Sequence, residues 1–294
     1  MPRVVYVNGQ YVPYTQAHIH VEDRGFQFAD GVYEVIGCVH GHMADETGHL
    51  DRLERSLSEL QMDMPVSRET LRFLMRECLR RNGLANAGIY IQITRGQAKR
   101  DFKFPAGTSQ SLVIIVSPFD FDGNLGVANG VRVKTLEDIR WKRRDVKSVA
   151  LLPQVLAKQD AIDSGVDDAW MVDGDGYVTE GSASNAWIIT KDGTLVTRPV
   201  SYDILRGVTR TAIEKICREN DLQLEERLFT PKEAYEANEA FTSSATALIT
   251  PVIEIDGHKI GDGKPGKMAH RLYEEYRAYV DGLRGKQVHW ESGL

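Results

Sequence analysis

The chain has 294 residues, of which 42% are hydrophobic and 27% charged, and its formal net charge is −6. That is ample apolar material for a core divided between two domains, and too much for a disordered chain. A mildly acidic balance provides no general attraction to nucleic acid or to anionic lipid.

The first residues, MPRVVYVNGQYV, contain no apolar signal core. Nowhere do about 18 apolar residues run together, so a cytoplasmic protein without a membrane partner is expected. Cys38, Cys78 and Cys217 are odd in number, far apart and set in apolar runs, which predicts buried free thiols.

In chain order, RVVYVNGQYVP reads as two strands joined at Asn8-Gly9, a strong hairpin signal. GVYEVIGCVHGHMA repeats the idea around Gly41. HLDRLERSLSELQM places Leu50, Leu53, Leu57 and Leu60 on one helical stripe. A second helix is predicted at SRETLRFLMRECLRRNG, with Ser67 as cap and Gly83 as stop. GIYIQITRG and SLVIIVSP read as strands, and SPFDFDGNLGVANG, lacking periodicity, as a loop.

Beyond it, the pattern predicts a strand at VRVKTL, a helix from Leu151 to Ser164 and a strand at DAWMVDGDG. A hairpin follows around Asp192-Gly193, then a helix at GVTRTAIEKICREN. Thr230 and Glu233 form a capping box, and the last helix is MAHRLYEEYRAYV. The expected architecture is a two-domain α+β or α/β fold: a small α+β domain over 1–118, a linker at 119–125, a larger domain over 126–284 and a tail at 285–294. Neither a GxGxxG fingerprint nor a Walker A loop is present, which argues against a Rossmann dehydrogenase or a P-loop NTPase.

Three features carry chemistry: Lys147 in DVKS, the segment VTEGSASNAW and the segment LRGVTR. Singly they read as a surface lysine, a turn and a helix start. With EDRGFQFADGVYEV, HLDRL, EDIRWKRRDVKS, LAKQDA and TPVIEIDG they form an ordered series. That series resembles the fold type IV pyridoxal-phosphate enzymes over nearly the whole chain, and the D-amino acid aminotransferases most closely. Branched-chain aminotransferases and aminodeoxychorismate lyases share the fold and some of the motifs.

The resemblance implies a catalytic lysine at Lys147, forming a Schiff base with the aldehyde of pyridoxal 5′-phosphate and then acting as general base and acid. It places Glu180 against the cofactor's pyridine nitrogen and Leu205 against its ring. The phosphate would meet Gly207, Val208 and Thr209 at a helix start, with Arg52, Ser243 and Ser244 as further partners. Tyr33 would line the substrate pocket, and Arg100, reaching in from the second subunit of a homodimer, would clamp the α-carboxylate. Two positions on, those enzymes usually have a histidine, and here the residue is Phe102. One donor is thus missing, which suggests broader tolerance of hydrophobic substrates or (R)-amines.

The implied reaction is transamination of D-alanine or a similar D-amino acid with 2-oxoglutarate or another 2-keto acid. The enzymatic alternative is a branched-chain L-amino acid aminotransferase, and the non-catalytic one a binder of small phosphate compounds using RGVTR. His18, His20, His40, His42 and His49 lack Asp or Cys partners at ligand spacing, so no metal is expected. The short WKRR run is insufficient to predict a nucleic-acid partner.

Overall fold

The structure is a computed structural model that describes residues 3–121 and 123–282. The chain forms two compact units. The first holds the described residues up to Phe121 together with Val146–Ala150, and the second holds 123–145 and 151–282. The segment Val146–Ala150, which includes Lys147, therefore belongs with the first unit rather than with the larger domain in which the sequence placed it.

The first unit contains strands β1 (Val4–Val7) and β2 (Gln10–Pro13), the short helix α1 (Arg24–Phe28), strands β3 (Gly31–Val39) and β4 (His42–Met43), helices α2 (Glu46–Glu59) and α3 (Arg68–Asn82), and strands β5 (Ala87–Thr94) and β6 (Ser111–Pro118). They build a six-stranded sheet ordered β2-β1-β6-β5-β3-β4, antiparallel throughout. Asn8 (φ 45°) and Gly9 (φ 93°) turn the first hairpin, with Val7 opposite Gln10. Two successive positive φ angles suit the twist of the flanking strands, and few residues other than Asn and Gly adopt them readily. Leu50, Leu53 and Leu57 of α2 pack with Leu71, Leu74 and Met75 of α3 in one core with the sheet. The Ser67 hydroxyl accepts from the Thr70 N–H to start α3, and Gly83 (φ 63°) ends it.

The second unit comprises α4 (Leu125–Asn129), β7 (Val131–Glu137), α5 (Leu152–Asp163), β8 (Asp168–Val172), β9 (Val178–Gly181), β10 (Asn185–Ile189), β11 (Leu195–Thr197), α6 (Val208–Glu219), β12 (Leu224–Glu226), α7 (Pro231–Tyr235), β13 (Glu239–Ser244), β14 (Leu248–Ile255), β15 (His258–Lys259) and α8 (Lys267–Gly282). Its mixed sheet runs β12-β11-β10-β13-β14-β7-β8-β9, with β15 beside β14. Strands β7 and β8 are parallel and joined through α5, the crossover that parallel pairing requires. Helices α6 and α8 pack on β13 and β14. Pro231 begins α7, and the Thr230 hydroxyl caps it by accepting from Glu233 N–H.

One sequence expectation changes. The supposed loop after Ser117 contains the one-turn helix α4, because the Asn124 side chain accepts from Gly126 and Val127 N–H and caps it. The turn in EGSASN links two strands: Val178–Gly181 form β9, all four buried, and Asn185 opens β10. The expected tail at 285–294 lies outside the described residues. Cys38, Cys78 and Cys217 are buried free thiols, and burial pushes them up to about 11, 12 and 11.

Candidate active site

The first unit presents an amine on an aromatic plate. Val149 N–H donates to Gly31 O and Tyr33 N–H donates to Lys147 O, each at 3.0 Å, so the segment around Lys147 runs along β3 like a short extra strand. The Lys147 N–H donates to the Ser56 hydroxyl of α2 at 3.3 Å. These backbone bonds carry the Lys147 side chain to Tyr33, where Nζ lies 4.2 Å from the ring centroid. An ammonium over a ring face is attracted by the ring quadrupole.

Directly behind Tyr33, the alternation of β3 turns Glu34 inward among Val32, Ile36 and Cys38, and Glu34 is fully buried. Arg52 donates from Nε and Nη2 at 2.7 and 2.9 Å, and His49 Nδ1 lies at 2.8 Å. Burial by itself would raise the Glu34 carboxyl, but Arg52 and His49 outweigh it and hold it far below the usual carboxylate range. Two guanidinium nitrogens of Arg52, proposed from the sequence as a phosphate partner, thus face Glu34. His49 is a buried residue of α2.

Arg100 and Phe102 lie on the exposed loop between β5 and β6. Both meet the same ring: the Arg100 guanidinium is 4.6 Å from the Phe28 centroid, and the Phe28 and Phe102 centroids are 5.5 Å apart.

The second unit presents a buried carboxyl and a helix start. Glu180 of β9 accepts from Asn185 Nδ2 at 3.1 Å and from Leu205 N–H at 3.2 Å, and it pairs closely with Arg140 Nη1. Arg140 also bonds Asp138, at 2.7 Å from Nη2. Burial pushes the Glu180 carboxyl up, and Arg140 only partly offsets it. Asp138 goes the other way: burial raises it, but Arg140, Thr179 and Arg144 together bring it below its ordinary value. Arg143 and Arg144 are engaged as well, by Asp145 at 2.9 Å and by Asp138 at 3.3 Å.

Asn185 also donates to Leu205 O at 2.8 Å, fixing the half-buried Leu205. A Cβ on Gly207 would come within 2.2 Å of Asn185 Oδ1, so only glycine lets the chain pass so close. Gly207 is the N-cap of α6 and no side chain caps this helix, so the N–H groups of Val208 and Thr209 begin it without a side-chain acceptor. Such a start, in a helix of 12 residues, suits an anion. Ser243 accepts from the Trp187 indole at 2.8 Å and Ser244 from Ala247 N–H at 3.0 Å. Arg210 of the same RGVTR motif is fully buried on Glu214 and Arg198 O, which makes it a scaffold residue.

Each group, taken by itself, has a chemical counterpart in a pyridine ring that carries an aldehyde and a phosphate. The amine of Lys147 suits the aldehyde, the buried Glu180 a basic ring nitrogen, and the uncapped α6 with its glycine a phosphate. The sequence reading missed Glu34, Arg140, Asp138 and Asn185. One signal was available: a glutamate at an inward position of the apolar strand GVYEVIGCV must have a buried partner.

Residues 31–255 match the family model described as amino-transferase class IV. The chain is 39% identical to a D-alanine aminotransferase of Staphylococcus haemolyticus, over 94% of this chain and 98% of that protein. Among solved structures, it is similar to the branched-chain amino acid aminotransferase of Escherichia coli, with a TM-score of 0.88 and 25% identity over 99% of this chain and 98% of that one. It is also similar to the T.th. branched-chain amino acid aminotransferase solved with pyridoxamine 5'-phosphate, with a TM-score of 0.88 and 26% identity over 97% and 96% of the two chains. Family model, full-length relatives and site chemistry agree: the chain belongs to the class IV aminotransferases.

Proposed function

We propose that this chain transfers the amino group of D-alanine or another D-amino acid to 2-oxoglutarate or another 2-keto acid, with pyridoxal 5′-phosphate as carrier. It is a pyridoxal-phosphate-dependent aminotransferase by family. The observation that carries the D-specific reading is the near full-length match to relatives named D-alanine aminotransferase.

When bound, the cofactor supplies an aldehyde that captures the amino nitrogen and a protonated ring that withdraws electrons from the adjacent carbon. The chain's own residues do the rest. Lys147 would hold the aldehyde, and its amine would move the proton at the substrate Cα. Tyr33 holds that amine over its ring face. Glu180 would hold a proton at the ring nitrogen, and its own preference for a proton, raised by burial, suits a shared one. Leu205 would pack on the ring. Gly207, Val208 and Thr209 would hold the phosphate, with Arg52, Ser243 and Ser244 as further partners.

Arg100 orients the α-carboxylate, in the pocket of a second copy of the chain. A dimer accords with the outward side of α5, where Leu152, Val155, Leu156 and Ile162 are each more than half exposed. Phe102 in place of a donor weakens carboxylate binding by about 1.5–3 kcal/mol, or about ten- to a hundredfold. Hydrophobic substrates and (R)-amines then become relatively better ones.

Turnover of both enantiomers of alanine, glutamate and leucine, with (R)-1-phenylethylamine alongside, tests the reading. D-Alanine turnover is expected. Activity confined to L-leucine and L-valine would overturn it in favour of the branched-chain alternative, which the solved neighbours' names support. Absence of amine turnover would remove the broadened specificity alone. The loaded protein should also carry a visible absorbance band, bleached by borohydride and lost in Lys147→Ala.

A further inference from the structure

The loop 97–108, which bears Arg100 and Phe102, has a closed neck and little core of its own. At its base a Cβ on Gly96 (φ 92°) would come within 1.9 Å of Ser109 O, so the two ends pass at backbone contact. Arg24 N–H donates to Gly96 O at 2.9 Å, which ties α1 to the same point. Beyond the neck, Arg100, Phe102 and Phe104 are all exposed. With so little apolar burial, other contacts must set the position of the loop.

At the start of the loop Ala98 N–H donates to Glu22 O at 3.2 Å and Gln97 pairs with Asp23; further along, two arginines make the contacts, and one carboxylate orients both. Arg24 Nε and Arg95 Nε reach the same oxygen, Asp30 Oδ2, at 2.7 and 2.8 Å. From that anchor, Arg24 Nη1 donates to Asp101 O at 2.6 Å, the carbonyl between Arg100 and Phe102. The Arg95 guanidinium lies 3.7 Å from the Phe104 centroid, and its other nitrogens donate to Leu60 O and Gln61 O at 2.6 and 3.3 Å. Arg24 also sits 4.8 Å from the Phe28 ring that Arg100 lies against. Arg24 and Arg95 are nearly buried, at 3% and 8% exposure, so each needs Asp30 to balance its charge.

We propose that Asp30 is a positioning residue for substrate recognition: through Arg24 and Arg95 it holds the loop at two places and so sets where Arg100 meets the substrate carboxylate. This rests on the reading of Arg100 given above. A forked guanidinium discriminates by geometry, so a displaced loop costs carboxylate binding before it costs proton transfer at Lys147.

The test compares wild type, Asp30→Asn, Arg100→Ala and the double variant as cofactor-loaded enzymes. It measures KM and kcat for D-alanine and the keto acid, with amide hydrogen exchange over residues 97–108. Asp30→Asn is expected to raise both KM values about tenfold with kcat within about threefold, and to speed exchange in the loop. In the Arg100→Ala background it should raise KM no further. The proposal is overturned if exchange is unchanged, if kcat falls in step with the KM rise, or if the KM rise persists without Arg100. Should Asp30→Asn fail to fold, Arg24→Lys keeps a cation beside Asp30, withdraws the donor to Asp101 and carries the same readouts. An Arg100→Ala enzyme with unaltered KM would instead refute the role given to Arg100, while the exchange measurement still reports whether Asp30 holds the loop.

Discussion

A buried glutamate meets an arginine in each unit, Glu34 in the first and Glu180 in the second, and these two carboxyls move in opposite directions. Glu34 receives Arg52 twice and His49 once, so its charge is over-supplied with donors despite complete burial. Glu180 shares Arg140 with Asp138, and Asp138 also draws on Arg144. The shared Arg140 does not outweigh desolvation at Glu180. Burial depth alone does not decide proton affinity here; whether the cationic donor is shared with a second carboxylate does. The over-supplied pair suits a framework, and the under-supplied one leaves a proton site open to a ligand.

The strongest way to break this contrast is Glu34→Ala. It takes two hydrogen bonds and the facing charge from the buried Arg52 guanidinium and should cost about 3–5 kcal/mol of stability, read as a lower urea midpoint. A cost below about 1 kcal/mol would mean that the Glu34 cluster is no framework.

Glu180→Gln should do the reverse, sparing the fold and damaging the chemistry. We expect kcat to fall about 10²–10³-fold with the urea midpoint nearly unmoved. A variant that unfolds but, where folded, turns over normally would place Glu180 with the framework instead.

Asn185→Ala is a milder perturbation. It removes donors to Glu180 and to Leu205 O at the cost of about 1 kcal/mol in stability, with a modest loss of cofactor affinity measurable by titration.

The subtlest signal is in pH dependence. Glu34 is depressed below its ordinary 4.5, so its contribution is present above that pH and lost as pH falls through the lower folded value. The stability gap between wild type and Glu34→Gln should therefore widen as pH rises toward 4.5 and then level off. Glu180 is raised, so wild type loses stability as pH climbs from 4.5 through the higher folded value. Over that range Glu180→Gln should gain on wild type. Parallel curves for the two variants in urea titrations from pH 2 to 7 would remove the distinction.

Much of this was legible in the sequence, for identifiable reasons. The Asn8-Gly9 hairpin, the leucine stripe of α2, the Ser67 and Thr230 caps and the Lys147 and RGVTR motifs are all local. Each is a rule about neighbours within a few residues, which the chain obeys wherever it folds. The one local failure, α4, came from reading Asn124 as loop chemistry when the same side chain caps a helix.

What only the tertiary structure decided is which charge meets which. Glu34 and Arg52 are 18 residues apart, Arg140 and Glu180 40, and Arg24 and Asp101 77. Periodicity says that a residue points inward, but says nothing of the partner waiting there. The assignment of Val146–Ala150 to the first unit is of the same kind, since it rests on hydrogen bonds from Lys147 and Val149 to β3 across more than a hundred residues. A single chain can write local preference into its order of residues, whereas long-range pairing follows only once sheets and helices have brought distant side chains to one place.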